Sequence, residues 1–463
     1  MQQIHVSRIS ALALAVAGVL AFGGQAHASG FQLKESSVKA MGRAFAGSGS
    51  ATGDASVVTA NPAAMSTFKK TTVQADITMI DLSADFTGGG LAAAGTPLQQ
   101  PLRGGNGGDA GDQTPVPAIS AIFPMGDSGV TLGAMLSAPF GLKTEYEAGW
   151  VGRYTAVKSE VKTYDFTMSA AFDFGSNVSF GLGLVYERAE ATLSKSIDFG
   201  SAICGINVAL CITPDPVNAP YGPQKNDGFI QVDGDDTAFG WIAGLHIHPR
   251  DNLAIGYTHR SEISHDIQGT ADFTVPANVA PLLALGAPGQ FTDSNAHATL
   301  ATPAIDTISV TYGINDDFRV MGDVSQTQWS SLQQVSIDFT NNPAQATATE
   351  EFKWNDTTFW SLGAEWDIND QFTLRGGYAE DQTPTHADSR TPRLPDGDRQ
   401  WFSVGLTWTP SESWEINGGY TRIVVDDPAI QLTTPTTATS GSTLVGTYNS
   451  SVNLWGLSAQ YRF

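Results

Sequence analysis

Side chains capable of covalent chemistry are sparse in this chain and never grouped. There is no G-x-S-x-G elbow, and His246, His248, His259 and His265 keep no triad spacing with a Ser or Asp. Cys204 and Cys211 have no nearby His or acidic ligand and lack C-x-x-C spacing, so they read as a disulfide stiffening one loop. No metal and no cofactor is expected. What remains is a set of lone cations beside apolar runs: Lys195, Lys353 and Arg399. A cation inside a mostly apolar pocket is what holds an organic carboxylate. By strand parity Lys195 shares a face with Glu187, Lys353 with Asn355 and Ser361, and Arg399 with Ser403, so the three could meet. Each could equally be an interior charge paired with an Asp. Arg260, Arg319 and Arg375 share the inward parity and could be structural, while Arg188 follows Tyr186 to the opposite face, where a long side chain would snorkel.

The elements that would present these cations are legible as period-two runs. Val73, Ala75, Ile77 and Met79 oppose Gln74, Asp76 and Thr78. Phe180, Leu182, Leu184 and Tyr186 oppose Ser179, Gly181, Gly183 and Glu187, and Phe402, Val404, Leu406 and Trp408 oppose Ser403, Gly405 and Thr407. Such alternation sets one face in an apolar medium and the other in a polar one. Connection lengths decide which medium. Tight turns at 125–128, 175–177, 249–252, 315–317, 369–371 and 410–413 alternate with long links at roughly 83–117, 138–162, 195–236, 269–305, 341–352, 380–398 and 425–450. Short turns on one rim and long loops on the other describe an outer-membrane barrel, not a soluble sandwich. With 318–339 taken as one strand, the count is about fourteen, giving an all-β, antiparallel transmembrane β-barrel over 71–463. Trp455 to the terminal Phe463 alternates as a last strand. Aromatics at run ends (Trp360 and Trp366, Trp401 and Trp408, Trp414 and Tyr420) suit headgroup girdles.

Composition agrees. The 463 residues carry a net charge of -22, with 24 Lys and Arg against 46 Asp and Glu, which excludes a nucleic-acid partner. His5 and Arg8, an apolar run from Ala11 to Phe22 and Ala26-His27-Ala28 make residues 1–28 a signal peptide, too short to span a membrane. Residues 29–70 are rich in small side chains and have no period of their own, so they would be ordered only inside something else. We read them as a hatch that plugs the barrel.

Ser29-Gly30-Phe31-Gln32-Leu33, Gly42-Arg43-Ala44, Asp54-Ala55 and Asn61-Pro62-Ala63 resemble the N-terminal hatch of FadL-type outer-membrane transporters. The resemblance continues in order through Phe140-Gly141-Leu142, Thr144-Glu145-Tyr146, Arg260-Ser261-Glu262, Trp329 to Gln334, and Leu394-Pro395-Asp396-Gly397-Asp398-Arg399. It implies a fourteen-stranded barrel in the Gram-negative outer membrane that takes up long-chain fatty acids or other hydrophobic molecules. Some members resemble aromatic-hydrocarbon channels.

Capture would fall to apolar loop residues: Ile206, Val208 and Leu210 in one loop, Leu282, Leu283 and Leu285 in another. They could form short helices with a greasy groove matching the family's low-affinity site, or simply pack loop on loop. Phe31 is placed to reach from the hatch into the inner pocket beside Lys195, Lys353 and Arg399. For release, Ser137-Ala138-Pro139-Phe140-Gly141 interrupts the third strand with residues that weaken a ladder, which would open the wall sideways; the alternative is that Pro139 ends the strand. The family is similar in having a kinked third strand. Asn61, Pro62 and Ala63 would form the hatch turn packed near that kink. The expected partners are hydrophobic small molecules, outer-membrane lipid and lipopolysaccharide, and the barrel-assembly machinery through Phe463, with the protein a monomer. An acyl hydrolase and a general porin are the competing readings.

Overall fold

The computed structural model describes residues 30–175, 177–433 and 441–463; the expected signal peptide at 1–28 lies outside the described residues. Among the described residues, fourteen antiparallel strands close into one barrel. They are β1 (Thr72–Gly89), β2 (Gln113–Pro124), β3 (Val130–Ser137, resuming as Gly141–Glu145), β4 (Lys158–Asp173), β5 (Val178–Asp198), β6 (Asp227–Arg250) and β7 (Leu253–Arg260 and Ile263–Thr274). The rest are β8 (Ser294–Thr302 and Ile305–Gly313), β9 (Phe318–Thr327 and Gln334–Phe339), β10 (Ala348–Glu351 and Thr357–Asn369), β11 (Phe372–Asp381), β12 (Arg399–Trp408), β13 (Trp414–Val425 and Ala429–Leu432) and β14 (Leu444–Arg462). The ring is sealed by β1 against β14, in register from Thr72↔Arg462 to Gly89↔Val445.

The two faces follow the alternation. Ile77, Leu136, Met168, Leu184, Leu362 and Leu457 are exposed on the outside, where lipid covers them, while Thr167, Glu187, Ser361 and Ser403 are buried in the lumen. Trp366, Trp408 and Trp414 stand outward near the turn rim, and Tyr186, Trp241 and Tyr420 nearer the loop rim. Trp401 departs from the expected girdle: its parity turns it inward, and it packs edge-on against Phe45 of the hatch. Several strands run further into the loop region than the sequence indicated. β5 reaches Asp198 and β6 begins at Asp227, because above the lipid band the outer face becomes polar (Arg188, Glu190, Asp233, Asp235) and the apolar signal stops while the ladder continues.

Residues 30–71 fill the lumen. Helix α1 (Val38–Met41) is capped by Ser37, which accepts from the Ala40 N–H. After α2 (Val57–Ala60), the 3-10 turn Pro62–Thr67 is capped by Asn61, with Pro62 at its first position. Val38, Met41 and Phe45 pack on Phe359, Trp401 and Leu454, and Val57, Val58 and Met65 on Ile122 and Met135. Each such burial stabilises the plug by about 1.5–3 kcal/mol. The backbones approach closely: a Cβ at Gly42 would sit 2.9 Å from the Gly405 Cα, so only glycine fits there.

Candidate functional site

Two cavities lie above the hatch and meet at Phe31. The upper pocket, about 170 Å³, is walled by Leu142, Val161, Ile230, Val232, Ile267, Leu300 and Ile337, all lumen-facing positions of neighbouring strands. Its polar end is formed by Lys195, Arg393 and Glu350. Arg393 Nε donates to Glu350 Oε2 at 2.8 Å, and its other nitrogens donate to Ser159 Oγ and the Thr155 carbonyl, both at 3.0 Å. With that pair neutralised, Lys195 carries the excess charge; it makes no hydrogen bond or ion pair with any described residue. An ammonium and a guanidinium at the end of a greasy slot are suited to an anionic head group with an apolar tail.

The side chamber, about 400 Å³, shares Phe31, Leu142, Val161 and Leu394 with the upper pocket and reaches the wall at the β3 break. There the barrel is incompletely paired. β2 joins the first part of β3 only between Ile119↔Leu136 and Pro124↔Thr131, while Gly141–Glu145 pairs with β4 alone. Residues 113–118 of β2 therefore have a ladder on the β1 side only. Sequence explains why the edge stays open. Pro115 and Pro117 lack the N–H, and since β1 is paired throughout this stretch, residues of their parity turn backbone groups toward β3. The gap is bounded above by the Lys143–Asp112 ion pair and by the Glu145 N–H donating to the Ala110 carbonyl at 3.1 Å. The hatch meets the break directly: the Leu33 N–H donates to the Pro139 carbonyl at 2.7 Å, and the Gly141 N–H to the Phe31 carbonyl at 2.9 Å. The Phe31 ring lies 4.8 Å from Trp329 and 5.9 Å from Phe140.

The structure separates residues that sequence parity placed together. Lys195 lines the upper pocket and Phe31 its floor. Arg399 faces inward but lines the side chamber, where it donates to Asp396 Oδ1 (2.7 Å) and the Gly30 carbonyl (3.0 Å), tying down the hatch start. Lys353 does not face the lumen. β10 breaks between Glu351 and Thr357, the backbone at Lys353 is left-handed (φ 54°), and its side chain is 62% exposed and paired with Glu351. Arg260 pairs with Asp165 and Glu187, and Arg319 and Arg375 with Glu365, so these inward arginines tie strand to strand, and Glu365 also takes Arg43 of the hatch. Arg188 pairs with Glu190 and Asp235 above the lipid band.

In the loops, α3 (Phe199–Ile206), α4 (Ala209–Ile212) and α5 (Ala280–Gly286) form, and Cys204 and Cys211 are disulfide-bonded. Leu283 is buried, and Leu210 and Leu282 partly so, in a loop-to-loop core with Phe199 and Phe291, so they serve packing more than capture. Ile206 and Val208 are exposed, and Leu285 is 85% exposed. Asn61, Pro62 and Ala63 do not lie near the β3 break. They pack on the wall at Gly181 and Gly244, with Asn61 Nδ2 donating to the Leu245 carbonyl, because glycines there leave room for the turn. The neighbours of the break are Phe31 to Leu33 instead; Ser137 pairs with Asp165, and Ala138 lines the side chamber. Sequence reading passed over Arg393 and Glu350 in the pocket. Arg393 sits immediately before the quoted Leu394–Arg399 stretch, and Pro115-Val116-Pro117 was visible as alternate donor-less positions.

Comparison with known proteins fits this geometry. The family described as outer membrane protein transport protein (OMPP1/FadL/TodX) matches residues 19–463. Outer membrane protein P1 of Haemophilus influenzae is 27% identical over 475 residues, covering 97% of this chain and 98% of that protein. The long-chain fatty acid transport protein of Escherichia coli strain K12 is 28% identical over 425 residues, covering 89% and 90%. A Pseudomonas aeruginosa FadL homologue superposes with a TM-score of 0.84 at 25% identity, over 94% of this chain and 100% of that one. The Pseudomonas putida toluene transporter TodX shares the fold, with a TM-score of 0.65 at 14% identity over 95% and 99%. The chain therefore belongs to the OMPP1/FadL/TodX family of outer-membrane transport proteins, a channel of the outer membrane and not an enzyme.

Proposed function

We propose that this channel takes up long-chain fatty acids, seating the carboxylate at Lys195 and Arg393 and releasing the ligand sideways through the gap between β2 and β3. The observation that carries this reading is the unpartnered Lys195 ammonium at the end of an apolar pocket that joins, across Phe31, a chamber at an unpaired stretch of wall. Exposed Ile206, Val208 and Leu285 on the extracellular loops offer the first apolar landing site. Residues 1–28 direct export, and Phe463, exposed at the periplasmic rim, is offered to the assembly machinery. The test is palmitate and hexadecane uptake by cells complemented with Lys195→Ala. Loss of one charge-assisted contact is expected to weaken palmitate binding about tenfold and leave hexadecane unchanged. Equal palmitate uptake by both proteins overturns the reading. A related aromatic-hydrocarbon channel would give Lys195 no task, and toluene uptake insensitive to Lys195→Ala, with palmitate ignored, would favour it.

A further inference from the structure

The hatch carries one acidic side chain that neither the ion-pair network nor the pocket explains. Glu35 is 4% exposed, lines the side chamber, and its Oε2 has no hydrogen-bond partner. An orphaned buried carboxyl oxygen is costly, and the other hatch carboxylate is bonded: Asp54 accepts from Ser37 and Ser56. Cationic neighbours are already engaged elsewhere. Lys34 points its ammonium over the Phe359 ring at 4.0 Å, and Arg399 is neutralised by Asp396. At the chamber mouth Asp112 pairs with Lys143 and Glu160 with Lys162, beside the Tyr164 ring. Glu35 therefore turns one carboxyl oxygen, Oε2, with no hydrogen-bond partner among the described residues, to a space walled largely by Ile80, Leu82, Trp401, Ile423 and Val452.

A fatty acid moving from Lys195 to the wall must cross this chamber, and it cannot enter hydrocarbon as a carboxylate. We propose that Glu35 is the second head-group station of the path, a protonated carboxyl that hydrogen-bonds the fatty-acid carboxylate and gives it the proton with which it leaves. The Glu35 O–H bond breaks, an O–H bond forms on the ligand, and the neutral acid departs through the gap. Glu35 remains as carboxylate until it takes a proton from water. Burial pushes the Glu35 carboxyl above the usual carboxylate range, outweighing its own backbone amide, Arg399 and Lys34. Glu35 lies on the hatch, outside the strands, four residues from Phe31, so the plug itself would carry this function.

This assignment rests on the fatty-acid reading and is tested separately from it. Uptake of palmitate, hexadecanol and hexadecane is measured between pH 5 and 8 for the wild type, Glu35→Gln and Glu35→Leu. Wild-type palmitate uptake is expected to fall as pH rises, because a carboxyl raised by burial holds its proton at the acid end and gives it up toward the alkaline end. Glu35→Leu should lower palmitate uptake about tenfold with hexadecane unchanged, the worth of one hydrogen bond to a charged group. Glu35→Gln, which can still hydrogen-bond a carboxylate but has no proton to give it, should leave palmitate uptake as low as in Glu35→Leu and flat across the pH range. Equal effects of Glu35→Leu on all three probes, no effect on any, or a wild-type pH profile in Glu35→Gln overturns the proposal. A Lys195→Ala strain separates the readings. If it takes up palmitate normally, the fatty-acid reading fails; if it does not, while Glu35→Leu behaves as wild type, only the Glu35 assignment fails.

Discussion

The lower hatch and the side chamber are built from the same short segment yet treat polar groups in opposite ways. Below, Glu365 receives Arg43 (2.6 Å), Arg375 (2.7 Å) and Arg319 (2.8 Å), Lys39 reaches Glu415 (2.5 Å), and Asp323 accepts from the Gly47 N–H and from Ser48 and Ser309. Above, the edge of β2 is left without a partner, β3 is broken, and at the break the hatch meets the wall through two backbone hydrogen bonds and aromatic rings, with Gly30 held beside it by Arg399 and Asp396. Satisfied buried charges fix a single geometry, because leaving any one of them unpaired is expensive. Loose apolar contacts leave room for a guest. On the proposed route, the lower hatch would serve retention and the upper hatch passage.

The most damaging way to break that contrast is Glu365→Ala, which leaves the buried Arg43 and Arg375 without their anion, while the half-buried Arg319 keeps Asp367. We expect a loss of about 3–5 kcal/mol in stability, read as a lower thermal midpoint in detergent. Small ions should also leak through planar bilayers as the plug loosens. A smaller effect is expected from Pro115→Thr combined with Pro117→Thr, which returns two donors to the open edge. Hydrogen exchange at 113–118 should slow and palmitate uptake fall a few-fold, with stability changed by no more than about 1 kcal/mol. If exchange slows but uptake holds, the gap is not the exit. The mildest test is Leu285→Ser. Because that side chain is 85% exposed, stability should move by no more than about 0.5 kcal/mol while capture at low ligand concentration weakens.

The barrel was legible because its medium imposes period two on every strand, and the alternation of short and long connections gave the strand count. The same reasoning failed where the pattern was broken. Counting parity through 352–356 put Lys353 in the lumen, although the chain leaves the ladder there and the count restarts. Arg399 falls on the inward face that parity gives it, and there the alternative of an interior charge paired with an Asp is the one found, the partner being Asp396 three residues earlier. Pairings such as Arg43 with Glu365, 322 residues apart, leave no local trace. Nor does spacing show that Arg393 would be drawn beside Lys195 by a loop crossing the mouth.

The seam between β1 and β14 joins the first and last strands of the barrel. Because the plug precedes β1 directly, it is tethered at the lip of a cylinder that closes only when the last strand docks. A segment tethered there can fold into the lumen through the near mouth while the ladder, eighteen residue pairs long, stays shut. The stopper thus comes attached to the cylinder that it fills, and its covalent leash keeps it close to the bore even when its contacts loosen.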